Sequence, residues 1–150
     1  MNDDLGAASE AQRARDGEQL KLLAAFHFVG VGLAALGMLM LYGHYAMFNN
    51  MMSNPKVWAN QAAPPPAELF AGMKWFYGVC AAGLLGTGAL NLLAGLFLRA
   101  RTHRIFTFLV AGINCFYMPL GTALGIFTFI VLLRDSVRKL YEPARPSLGD

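Results

Sequence analysis

Residues Ile105 to Leu133 read IFTFLVAGINCFYMPLGTALGIFTFIVLL, 29 residues with no Asp, Glu, Lys, Arg or His. Arg99, Arg101 and Arg104 precede this run, and Arg134, Arg138 and Lys139 follow it. Lys and Arg collect on the cytoplasmic side of membrane segments, so basic clusters at both ends place both ends in one compartment. The chain must then reverse inside the run, and the reversal falls at Met118-Pro119-Leu120-Gly121-Thr122.

Two other stretches are equally free of charge: 34 residues between Lys21 and Lys56, and 24 between Lys74 and Arg99. One bilayer crossing takes about 20 apolar residues. Of the whole chain 56% is hydrophobic and 14% charged, against roughly a quarter charged in soluble domains. The expectation is an all-α integral membrane four-helix bundle with a short C-terminal helical hairpin. Residues 1–19 form a polar cytoplasmic tail, with at most a short frayed helix over Ala7–Ala14. The transmembrane domain spans 20–141, with helices at about 20–48, 67–99, 102–117 and 120–139 and an external loop at 49–66; residues 142–150 form a second cytoplasmic tail.

Ten of the twelve Lys and Arg lie at residues 13–21, 99–104 and 134–145, leaving Lys56 and Lys74 around the external loop. That asymmetry puts both termini in the cytoplasm and residues near 50–72 outside. Asp3, Asp4, Glu10, Asp16 and Glu18 do not suit a signal peptide, which opens on a basic region, so the first apolar run reads as a retained anchor. No basic face on a soluble domain points to nucleic acid, and the net charge of +3 suits anionic headgroups.

Small residues fall in stripes at helical spacing. Gly30, Ala34, Gly37, Leu41 and His44 line the first helix, and Gly83, Thr87, Asn91 and Gly95 line the second. Gly121 and Gly125 form a literal GxxxG in the last. Such faces let helix backbones approach closely. Tyr42, Tyr45, Phe48, Trp58, Trp75 and Tyr77 read as an outer aromatic belt. Pro64-Pro65-Pro66 is a stiff extended segment, after which Glu68 sits in the first turn of the second helix. The hairpin is short: its helices measure about 24 and 30 Å at the usual rise, so residues 105–133 either cross twice or dip in as a re-entrant hairpin. A single helix kinked at Pro119 is the rival reading.

The closing segment AGINCFYMPLGTALGIFTFIVLLRDSVRKLY, with Phe26-His27 upstream, resembles small, uncharacterised bacterial four-helix inner-membrane proteins that end on AGxNCxxxPLGTxLGxFTxxVLLRxSVRxLY. The resemblance covers about a third of the chain. It implies a bacterial inner membrane and four helices, and it implies no activity and no functional residues.

All nine carboxylates lie at residues 3, 4, 10, 16, 18, 68, 135, 142 and 150, outside the apolar runs. Coupled transporters rely on ionisable groups within the membrane, so this distribution argues against one. His27 and His103, placed at about the same depth, are the residues that could ligate a haem between helices; the bland reading makes His27 a hydrogen-bonded seam residue and His103 a solvated one. Cys80 and Cys115 form no ligand pair and read as packing residues, and no serine has a visible base partner. Asn91 and Asn114 either line a lipid- or quinone-sized cleft with Thr87 and His27, or bridge helices as structure. The expected function is non-enzymatic and without cofactor or metal: a scaffold or accessory subunit in the lipid bilayer, a homo-oligomer or the companion of another membrane protein. It would associate through the face of Gly83, Thr87, Asn91 and Gly95 and that of Gly121 and Gly125 after Pro119. The alternative is a protein that binds a lipid or other hydrophobic ligand in a cleft beside the hairpin.

Overall fold

Residues 7–15 are rich in Ala, Glu, Gln and Arg, all good helix formers, and extending an existing helix costs far less than nucleating one. The computed structural model, which describes residues 2–59, 67–117 and 119–141, accordingly starts its first helix, α1 (Asn2–Ser53), well ahead of Leu20. The tail reading is corrected here for a specific reason. Asp16 and Gly17 are buried in phase with Leu20, Leu23, Ala24 and His27, which are also buried, so the apolar stripe holds the upstream turns against the core.

Five more helices follow: α2 (Pro55–Trp58), α3 (Ala67–Ala100), α4 (Arg104–Asn114), α5 (Leu120–Leu132) and α6 (Asp135–Leu140), with no strand among the described residues. The fold is all-α. Two helices, α1 and α3, are long and apolar enough to cross a membrane. Asn54 caps α2 by accepting from the Lys56 amide at 3.1 Å, with Pro55 in its first turn. The prolines 64–66 lie outside the described residues, and Glu68 stands in the first turn of α3.

The chain divides into two contact units, Met1–Gly30 with Leu90–Asp150, and Val31–Ala89. The second unit is built on one antiparallel helix pair. Ala34 of α1 stands where it would meet a Cβ on Gly88 at 3.3 Å, and Leu84 of α3 would meet one on Gly37 at 3.2 Å. Tyr77, 7% exposed, bonds His44 Nδ1 through its hydroxyl at 2.5 Å and packs edge-on against Tyr45 with ring centroids 5.2 Å apart. Tyr77 is thus the centre of an aromatic cluster with Tyr45 and Phe48, whereas Trp75 is 76% exposed.

The first unit holds a core of Leu20, Leu23 and Ala24 from α1, Leu98 from α3, Val131 and Leu132 from α5, and Val137 from α6. α4 and α5 form an antiparallel hairpin: Arg104 donates to the Leu132 carbonyl, and Phe108 meets Phe129 at 5.5 Å. This excludes one helix kinked at Pro119. A Cβ on Gly125 would overlap Cys115 Sγ and the Ala111 carbonyl, and one on Gly121 would overlap the Asn114 carbonyl, so both glycines exist to let α5 meet the end of α4. Thr122 Oγ1 donates to the Cys115 carbonyl at 2.8 Å, and the Gly121 amide donates to Tyr117 O at 2.7 Å. The reversal therefore satisfies much of its own backbone. The sequence-based helix over 120–139 is interrupted: Arg134 is extended (φ −65, ψ 133), and α6 restarts after it. The break turns α6 so that Val137 is fully buried and Tyr141 packs on the core.

α3 ends on a Schellman turn. The Arg101 amide donates to Leu98 O at 3.3 Å and the Thr102 amide to Phe97 O at 3.0 Å, with Arg101 left-handed at φ 55 and His103 at φ 51. Glycine is the usual occupant of that first position.

Gly125→Ala should destabilise the detergent-solubilised protein by about 1–3 kcal/mol, the usual cost of overpacking, seen as a lower unfolding midpoint. Gly83→Ala, whose Cβ meets nothing within 4 Å, should leave that midpoint unchanged.

Candidate functional site: a buried histidine–asparagine network

Three helices of the first unit each contribute one buried polar side chain to a single network. His27 is fully buried, and Asn91 and Asn114 are each 3% exposed. Apolar surroundings offer these groups no water, so each must bond another protein group or lose several kcal/mol of hydration. Asn91 Nδ2 donates to Asn114 Oδ1 at 3.1 Å, and Asn114 Nδ2 returns a bond to Asn91 Oδ1 at 2.9 Å. His27 Nδ1 lies 2.8 Å from the same Asn91 Oδ1. An amide oxygen only accepts, so His27 donates through Nδ1 and Nε2 points away from this bond. That Nε2 has no hydrogen-bond partner among the described residues.

Local sequence explains why each group arrives there. His27 continues the buried stripe of α1. On α4 the buried residues are Thr107, Val110, Ala111 and Asn114, offsets of three, four and seven that define one face. Gly30 lets α3 come close: a Cβ there would sit 3.3 Å from Asn91 Oδ1. Gly95 does the same one turn further along α3, where a Cβ would lie 3.0 Å from the Phe28 ring.

The sequence-based site residues separate into three groups. His27, Asn91 and Asn114 come together; Gly95 packs beside them, and Gly121 and Gly125 are consumed inside the hairpin that Pro119 precedes. Gly83 faces open space, and Thr87 donates to the Gly83 carbonyl at 2.8 Å. His103 does not join His27. It is exposed, beside Phe97 at 4.5 Å between ring centroids. Asn114, at the level of His27, follows His103 by eleven residues, about 16 Å along a helix. The two imidazoles therefore occupy different depths, and a haem held by both does not fit this arrangement.

Sequence reasoning passed over a second polar group in this unit. Asp16 is fully buried, its Oδ1 accepting from Gln12 at 3.1 Å and its Oδ2 unpartnered among the described residues. Arg104 Nε and the Tyr141 hydroxyl are likewise buried and unpartnered there. Burial pushes the Tyr141 hydroxyl above the ordinary tyrosine range, an effect opposed by the charges of Arg104 and Arg101. The available signal was phase: Asp16 precedes Leu20 by four residues on a stripe that reaches His27.

No family model, no curated protein and no solved structure matches this chain.

Replacing Asn91 or Asn114 singly by Leu should cost about 0.6–2 kcal/mol, the range for polar bridges between membrane helices. The double variant should lose less than the sum of the two, because each single change strands the partner amide. Detergent unfolding of the four forms completes the cycle, and strict additivity would show that the pair contributes no mutual energy.

Proposed function

We propose that the chain is a multi-pass protein of the bacterial inner membrane, a bundle of four membrane-inserted helices with both termini cytoplasmic, that acts by association as a small scaffold or accessory subunit and performs no catalysis. Support for the setting comes from an arrangement with polar groups inside and large apolar side chains outside. His27, Asn91, Asn114, Thr107 and Thr128 are buried, while Leu39, Leu85, Ile105, Phe116 and Leu133 are more than 60% exposed. Lipid tails accept that exterior and water does not. The charge distribution of the tails and the 99–104 loop supports the orientation. At 11 and 13 residues, α4 and α5 are about 16 and 20 Å long, short of the roughly 30 Å apolar core, which favours a shallow hairpin that enters and returns.

The observation that carries the association reading is the contrast among the glycines. Gly30, Gly37, Gly88, Gly95, Gly121 and Gly125 each have a neighbour in the place of a Cβ. Gly72, Gly78, Gly83 and Gly86 of α3 have nothing within 4 Å, and Ala82 beside them is exposed. Ala82 and Gly86 repeat the small-xxx-small spacing that draws helices together. Gly121 and Gly125 are already used within the chain; Gly32 and Gly43 of α1 are open as well, and in the second unit the open glycines carry the small-xxx-small spacing on the Ala82 and Gly86 face of α3. Its occupant in this reading is the same face of a second copy, since a two-fold pair satisfies one self-complementary surface at once.

A groove of about 340 Å³ in the same unit, lined by Met38, Leu41, Tyr45, Lys74, Tyr77 and Ala81, favours the alternative of a bound lipid or other hydrophobic ligand. Its place differs from the cleft first expected beside Asn91 and Asn114.

A cysteine at Ala82 should cross-link two copies in native membranes, and adding Gly86→Leu should abolish the cross-linked species while leaving the unfolding midpoint intact. A monomer in both membranes and mild detergent would remove the association reading. A reporter fused after Asp150 should be active in the cytoplasm; periplasmic activity would overturn the orientation.

A further inference from the structure

Arg101 occupies a left-handed position, φ 55, at the end of α3. Glycine would hold the same turn with less strain, so the side chain itself has to account for arginine there. Its guanidinium rests against α1, where a Cβ on Gly17 would lie 3.2 Å from Nη2. The first unit also holds the groups left incomplete. Arg104 spends Nη2 on the Leu132 carbonyl and lies over the Phe108 ring at 5.3 Å, but its Nε is buried without a partner among the described residues. The Tyr141 hydroxyl is in the same condition, and both Arg101 and Arg104 act on it electrostatically. Asp16, next to Gly17, brings one buried carboxylate. Arg134, bonded to Gln19 at 2.8 Å, belongs to the same unit.

We propose that Arg101, Arg104 and the Tyr141 hydroxyl form a receptor for a phosphate group, supplied by an anionic phospholipid headgroup or by a soluble phosphate. Guanidinium groups match phosphate oxygens in geometry and charge. A phenol hydroxyl completes the set as a neutral donor. Basic recesses at the cytoplasmic ends of membrane helices meet lipid phosphate directly. The proposal depends on the membrane reading only for the lipid source; phosphate recognition stands on the cluster alone.

The test uses the full chain in mild detergent, with phosphatidylglycerol as one probe and inorganic phosphate as the other. Native mass spectrometry counts retained lipid, and calorimetry follows the phosphate. Wild type should retain phosphatidylglycerol in preference to phosphatidylcholine. Arg104→Gln and Tyr141→Phe should each lower retention roughly tenfold, the effect of losing one charge-assisted hydrogen bond, while Lys139→Gln stays at the wild-type level. Arg101→Gly separates site from scaffold, because it should raise the unfolding midpoint and lower retention together. Retention that millimolar inorganic phosphate does not compete assigns the site to lipid. Saturable binding of inorganic phosphate alone, lost in Arg104→Gln, assigns it to a soluble ligand. Wild-type retention by Arg101→Gly, equal losses in Lys139→Gln, or no binding of either probe would overturn the proposal.

Discussion

The amide pair of Asn91 and Asn114 governs how the first unit can be assembled. Each side chain presents both a donor and an acceptor, and the reciprocal bonds at 2.9 and 3.1 Å satisfy one of each on both residues. Two carboxamides aligned this way accept one register only, since a shift of one residue on either helix would swing an amide out of reach. His27 adds a third helix through the same Asn91 oxygen. Apolar contacts around the network, from Leu20 to Val137, tolerate sliding; a paired amide does not. The glycines at 30 and 95 then follow as a requirement, because a polar pair of this kind forms only where the backbones can approach.

Much of this was legible from spacing. The stripe of Gly30, Ala34, Gly37, Leu41 and His44 forecast which side of α1 a neighbouring helix approaches, and Gly30, Ala34, Gly37 and His44 each meet α3 within their unit. Asn91 and Asn114 as helix-bridging groups, the reversal near Pro119 and the packing role of Cys115 were likewise readable. What escaped depended on energies that pattern alone does not weigh. Asp16 looked solvated because carboxylates usually are, and only the three-dimensional course of α1 puts it in the stripe. The break at Arg134 competes with a run of good helix formers, and burial of Val137 and Tyr141 decides the contest. The burial of Tyr77 was also missed, because an available imidazole at His44 gives its hydroxyl a partner within the chain. His103 was placed by depth along a helix that starts one residue later, with its backbone left-handed, which turns the ring to Phe97.

Glycine therefore has three distinct uses in one chain. At Gly30 and Gly95 it makes room for a polar or aromatic neighbour; at Gly121 and Gly125 it admits backbone carbonyls; at Gly72, Gly78, Gly83 and Gly86 of α3 nothing stands in the place of a Cβ. The composition alone, sixteen glycines in the chain, does not distinguish these uses. The counterexample at Arg101 is as telling, because there a residue other than glycine occupies a conformation glycine would adopt more cheaply.

The hairpin of α4 and α5 has a consequence for biogenesis under the membrane reading. Neither helix carries enough apolar length to leave the protein-conducting channel sideways as an independent segment. Zipped along Gly121 and Gly125, they offer a combined apolar surface and few free backbone groups at the tip, and a connection this short closes far faster than a ribosome adds a residue. Partition into lipid would thus be delayed until α5 has emerged and then happen to both at once. Premature termination between the two helices should leave α4 stranded on the translating side, where quality-control proteases would recognise it.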